Sequence, residues 1–203
     1  MLVFWQQRLV FLATPKTGST AIGAALESLA SVSIQRPPEL KHTNAQRYRR
    51  FLAPYLEKSA GHQFEVAALM REPIDWLGSW YRFRQREDLS DPRKSTRDMS
   101  FNSFVEAYLE AERPAFADVG AQSKFLTKQG ELIVDHLFRY EDIQDFVIFL
   151  EDRLDCEVLL PRVNVSPDAD VTLDPALADR LRAEQAADFE LYNSIPRYVP
   201  AHA

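Results

Sequence analysis

A single cysteine, Cys156, occurs in the 203 residues. An internal disulfide framework is thereby excluded, and a lone thiol argues for a reducing compartment. No apolar run reaches the ~18 residues needed to span a membrane. The opening residues (Met1 to Arg8) lack the basic start, long apolar stretch and small-residue cleavage site of a secretion signal, so a cytoplasmic location is expected. The four histidines are scattered without ligand spacing, and no metal site is predicted. Neither an internal repeat nor a low-complexity segment is present. A surplus of basic charge is also missing: 24 lysines and arginines face 30 acids, a net charge of −6, which argues against bulk attraction to nucleic acid.

The residues that are present describe an ordinary globular chain, 46% hydrophobic and 27% charged, long enough for one sizeable domain over residues 1–203. Its charge is uneven. Lys41, Arg47, Arg49 and Arg50 form a basic stretch without an acid. Arg82, Arg84, Arg86, Arg93, Lys94 and Arg97 form a second, interspersed with Glu87, Asp88 and Asp91.

Apolar runs at 8–13 and at Phe64–Met70 read as buried strands, Leu132–Tyr140 as a third and Glu157–Leu160 as a short fourth. Helices are predicted over residues 20–30, from Thr43 or Asn44 to about Leu52, from Pro73 through Tyr81, after Ser100, after Asp142, and over residues 175–192 behind the cap Asp174-Pro175. Residues 31–43 read as irregular, because Pro37-Pro38 interrupts them, and Glu87–Arg97 reads as a mobile loop. Strands alternating with helices predict an α/β fold with a parallel sheet covered on both faces, which binds ligands at the carboxyl ends of its strands.

The segment Pro15-Lys16-Thr17-Gly18-Ser19-Thr20 lies between a predicted strand and a predicted helix. A tight loop running into a helix N-terminus presents free backbone N–H groups and the positive end of the helix dipole, which suits an anion. Ala13, Gly18 and Thr20 match the spacing of a nucleotide P-loop, but Ser19 occupies the position of its lysine and Lys16 lies within the loop instead. That displacement points away from ATP or GTP hydrolysis. Arg71 lies just after the second predicted strand, so it should reach the same rim.

The Pro15–Thr20 loop resembles the 5′-phosphosulfate loop of sulfotransferases that use 3′-phosphoadenosine 5′-phosphosulfate (PAPS). Arg71-Glu72-Pro73, with Ser79 eight residues after the arginine and an aromatic pair behind it, resembles that family's 3′-phosphate segment. Arg139-Tyr140-Glu141-Asp142 is similar to a turn common in the family, and Arg162-Val163-Asn164-Val165-Ser166 to a late loop of its carbohydrate-type branch. The chain departs from that branch at Thr14, where many relatives carry histidine. The resemblance implies a P-loop NTPase-like fold and PAPS as donor, held by Pro15, Lys16, Thr17, Gly18, Ser19, Thr20, Arg71, Ser79, Arg162 and Asn164. It implies that Lys16 stabilises the leaving oxygen, without a metal. His42 is the expected general base, with Glu39 as the alternative. The acceptor is expected to be a hydroxyl-bearing carbohydrate or acidic small molecule, with Gln122-Ser123 facing it. An ATP-dependent kinase and a non-catalytic nucleotide-binding module are the competing readings.

Overall fold

The computed structural model describes residues 1–161, 163 and 167–199. Arg162 and Asn164, both expected to touch the donor, lie outside the described residues. Among the described residues no helix is long and apolar enough to cross a membrane.

Three strands follow the predicted pattern: β2 (Leu9–Leu12), β4 (Glu65–Met70) and β7 (His136–Arg139) run parallel, with Leu9 opposite Glu65 and Ala67 opposite His136. The sheet is not wholly parallel, however. β1 (Leu2–Phe4) pairs antiparallel with β2 on one side and with β3 (Val32–Ser33) on the other, giving a mixed five-stranded order β3-β1-β2-β4-β7. The cause is local. Only Trp5 to Arg8 separate β1 from β2, and Arg8 turns at a positive φ of 52°. So short a link permits a hairpin and no crossover.

Side chains alternate across the sheet with period two. Val3, Val10, Leu12, Val66, Ala68 and Met70 pack on one face against Tyr48, Ala53 and Leu56. These belong to a helical stretch built from α3 (Ala45–Arg47), a π-helical turn (Tyr48–Leu52) and α4 (Ala53–Ala60), which runs one full helix beyond the predicted end. Leu2, Phe4, Leu9, Phe11, Ala67 and Leu69 pack on the other face against α1 (Ser19–Leu26) and α8 (Ile143–Leu154). A strand buried on both faces tolerates little truncation, and Leu12→Ala should cost about 2–5 kcal/mol.

A third cluster joins α5 (Pro73–Phe83), α6 (Phe101–Tyr108) and α9 (Pro175–Glu184) through Trp76, Tyr81, Phe104, Tyr108 and Leu181. Ser100 and Asp174 cap their helices as the sequence implies.

Several expectations need correction. Pro38 opens a short helix, α2 (Pro38–Lys41), because a proline at the first helical position loses no hydrogen bond. Residues 157–160 form no strand; the amide of Val158 is taken by the Glu151 carboxylate. The third predicted strand, Leu132–Tyr140, shortens to β7, and its first residue belongs instead to an unpredicted hairpin of β5 (Thr127–Lys128) and β6 (Glu131–Leu132). The polar stretch 87–97 is tied down at its end, where buried Thr96 donates its hydroxyl to the Tyr81 carbonyl at 2.8 Å. The last helix breaks at Gln185 into α9 and α10 (Ala186–Ser194). That break lets buried Asp188 accept from the backbone N–H groups of Gln122 and Ser123, at 3.1 and 2.9 Å, opening α7 (Gln122–Leu126).

Candidate functional site

The carboxyl ends of β2, β4 and β7 deliver the Pro15 loop, Arg71 and Tyr140 to one rim. Gly18 caps α1 in the left-handed region, φ 71°, and no side chain caps this end of the helix. A Cβ here would lie 2.9 Å from the ring of Tyr140, so both the backbone angle and the close approach demand glycine. The first-turn amides of α1 have no intrahelical partner, by helix geometry. Lys16 also adopts a positive φ, 67°. For a side chain with a Cβ this costs roughly 1–2 kcal/mol, the kind of strain that collects at functional loops. Two hydrogen bonds hold the start of the loop. The Thr17 hydroxyl donates to the Thr14 carbonyl at 2.9 Å, and the Trp76 indole N–H donates to the Pro15 carbonyl at 3.0 Å.

The Lys16 side chain leaves the loop for α5. Its ammonium lies 4.1 Å from the Phe83 ring centre and 5.4 Å from that of Trp80. Burial, together with repulsion from Arg86, Arg71, Arg82 and Arg84, lowers its pKa to about 7. Arg84 is itself structural: it is buried and donates to the carbonyls of Ala115, Phe116 and Asp118.

Arg71 joins the loop as expected. Its Nη1 donates to the Lys16 carbonyl at 3.4 Å, and its guanidinium lies 4.8 Å from the centre of the Tyr140 ring. The fork is also engaged: Nε and Nη2 both donate to Oδ2 of Asp75, at 3.0 and 2.8 Å. Ser79, buried, sits one turn beyond Asp75 on α5. Asp75, Ser79, Arg82, Phe83 and Arg86 recur at helical spacing, so Ser79 shares the face that Lys16 approaches. Glu72 caps α5 by accepting from the Asp75 amide at 2.8 Å, and burial raises its carboxyl above the usual range.

His42 comes to the same rim from the far side of the loop. Its Nδ1 lies 2.6 Å from the Ala13 carbonyl. A carbonyl can only accept, so Nδ1 carries the proton and Nε2 presents its lone pair. Burial lowers the imidazole pKa, the bond to Ala13 opposes that, and Lys41 and Lys16 add to the fall. The ring is therefore neutral at pH 7. Glu39 is exposed on α2.

Two residues named from the sequence take roles that their spacing did not predict. Lys41 donates to the Thr20 hydroxyl at 3.1 Å, and burial lowers its pKa. Its signal was its place beside His42. Gln122 exchanges two hydrogen bonds with the Arg71 backbone, accepting from its N–H at 2.9 Å and donating to its carbonyl at 2.8 Å. The side chain of Gln122 therefore fixes Arg71, and the backbone N–H of Ser123 is bound to Asp188. Beside the loop a cleft of about 220 Å³ opens between Thr14, Pro15, Asn44, Trp76 and residues 119–122, 124 and 125.

The rim brings Lys16, Arg71, Arg82 and Arg86 close together, with Asp75 paired to Arg71 and Arg82 and with Glu72 and Glu141 nearby. This fits a polyanion, which would relieve the repulsion that depresses Lys16. The chain matches no protein-family model, no curated protein and no solved structure.

Proposed function

We propose that the chain is a sulfotransferase that moves a sulfuryl group from PAPS to an acceptor hydroxyl, on a P-loop NTPase-like framework. One observation carries this. The Pro15 loop and Arg71, 55 positions apart, meet at a single rim through the Arg71–Lys16 contact. Two segments that separately resemble the two phosphate-binding segments of PAPS enzymes thus stand side by side.

In this proposal the amides at the start of α1 and the Thr20 hydroxyl hold the 5′-phosphate. Arg71 exchanges part of its contact with Asp75 for the 3′-phosphate, with Ser79 beside it. The acceptor oxygen attacks sulfur in line as the bond from sulfur to the phosphate oxygen breaks. The electron pair stays on that oxygen, and the Lys16 ammonium moves in to stabilise the growing charge. Nε2 of His42 takes the acceptor proton. The products are the sulfated acceptor and adenosine 3′,5′-bisphosphate.

The test is calorimetric titration with adenosine 3′,5′-bisphosphate in the presence of EDTA. Saturable binding is expected, weakened about 10- to 100-fold by Arg71→Ala, since a charged hydrogen bond contributes ~1.5–3 kcal/mol. Equal affinity for ATP that strengthens with Mg²⁺ would instead indicate the kinase reading.

A further inference from the structure

The geometry points to the cleft beside the Pro15 loop as the acceptor site, and to a small aromatic alcohol of phenol type as the acceptor. The inference rests on the sulfotransferase reading and narrows it, because a sugar and an aromatic alcohol make opposite demands on this wall.

The first ground is size. About 220 Å³ is well below the ~300–1,000 Å³ of drug-sized pockets. On the order of 150 Å³ already holds one benzene ring. One ring, a fused pair or a single sugar fits, and the lining separates them.

The second ground is the lining. Pro15, Trp76, Val119, Ala121 and Phe125 supply apolar surface, and only Thr14, Asn44, Gln122 and Lys124 carry polar side chains. Gln122 has committed both ends of its amide to the Arg71 backbone. The Asn44 carbonyl oxygen accepts from the Arg47 amide at 2.8 Å, which leaves its NH₂ as the available group. The Trp76 N–H is bound to Pro15, so the indole offers the cleft no free polar group. A sugar would bury several hydroxyls against this wall without partners and forfeit their bonds to water. A flat ring with one hydroxyl has no such loss.

The third ground is an orphan. Thr14 is fully buried, and its hydroxyl has no hydrogen-bond partner among the described residues. A buried hydroxyl without a partner calls for a ligand atom, and Thr14 lies in the cleft wall. It directly follows Ala13, whose carbonyl holds His42. Thr14 would position the acceptor hydroxyl one residue along the chain from the carbonyl that holds His42.

Equilibrium binding of 2-naphthol and of methyl glucoside to the full chain, each with and without adenosine 3′,5′-bisphosphate, tests the assignment. Naphthol is expected to saturate and methyl glucoside to bind at least tenfold more weakly. Thr14→Val, which keeps the shape and removes a hydroxyl with no protein partner to lose, should weaken naphthol about tenfold and leave the bisphosphate affinity unchanged. Bisphosphate binding without naphthol binding, or naphthol affinity indifferent to Thr14→Val, overturns the acceptor assignment and spares the donor reading. Failure of the bisphosphate itself to bind brings down the donor reading, and the acceptor role falls with it.

Discussion

The two ends of the parallel strands treat charge in opposite ways. At the amino end, Glu65 of β4 accepts from His136 of β7 at 3.0 Å and from Arg153 of α8 at 2.5 Å, while Asp135 pairs with Arg49 at 2.8 Å and also accepts from the Val66 amide. Burial pushes the Glu65 carboxyl up, but the bonds from His136 and Arg153 outweigh it and hold the group below its usual range. Both of these carboxylates thus have a cationic partner. At the carboxyl end, Asp75 pairs with Arg71 and Arg82, Glu72 and Glu141 lie close by, and burial, joined by repulsion from the neighbouring arginines, drives Lys16 to about 7. A closed ion-pair network asks for nothing further. At the second end Lys16 and Arg86 have no ion-pair partner among the described residues, and an anion could pair with them, which makes that end the candidate ligand site.

The strongest way to break this contrast is Lys16→Met. Transfer should fall by ~10²-fold or more, the scale for losing a charge-stabilising donor. The ligand-free protein should nonetheless melt higher at pH 7. The folded pKa of Lys16 is about 7, against ~10.4 for an unperturbed lysine. Between those values the unfolded chain binds a proton that the folded chain has released, so this group makes stability rise with pH across that window. At pH 7 most of its penalty is still present, and removing it should raise Tm by a few degrees, at ~2–4 °C per kcal/mol. The gain should vanish as the pH approaches 10. Scanning calorimetry from pH 6 to 10 checks this, and a lower Tm for the variant would show that the lysine is satisfied as it stands.

A second, smaller effect sharpens the same contrast. His42→Gln should lower transfer by roughly 10²-fold. Burial lowers the imidazole pKa, so the acid limb of the wild-type kcat/KM profile should fall below the ordinary histidine value of ~6.5. A limb at or above that value would remove His42 as the base.

The smallest effect belongs to the balanced end. Glu65→Gln breaks a half-exposed pair and should cost about 1 kcal/mol or less, measured by urea unfolding at pH 7. Because the folded carboxyl pKa is lowered, its contribution is present above the unfolded value and is lost as pH falls through the folded one. Bisphosphate affinity should not move. If it does, the two ends are coupled and the contrast fails.

Much of the fold was legible before the structure. The apolar runs of β2 and β4, the Asn44, Ser100 and Asp174 caps and Pro73 at the head of α5 are local signals, and local energetics honours them. β1 was overlooked because it is only three residues long, and so the antiparallel half of the sheet was overlooked with it. The short link from Trp5 to Arg8 was the available clue. The false strand at 157–160 shows the converse: Val158 is buried, but no neighbouring strand offers it a ladder.

The sequence by itself determined the chemistry on offer: a loop able to cradle an anion, a lysine displaced into it, and an arginine at the end of a strand. Those follow from residue type and spacing along the chain. Only the tertiary structure decided which charges share a rim, which way the His42 ring is protonated, that Gln122 serves Arg71, and that Thr14 is left without a partner. Each of these depends on contacts between residues dozens of positions apart. Pairing and burial are properties of neighbours in space, and they turn a set of polar side chains into either a closed network or a site.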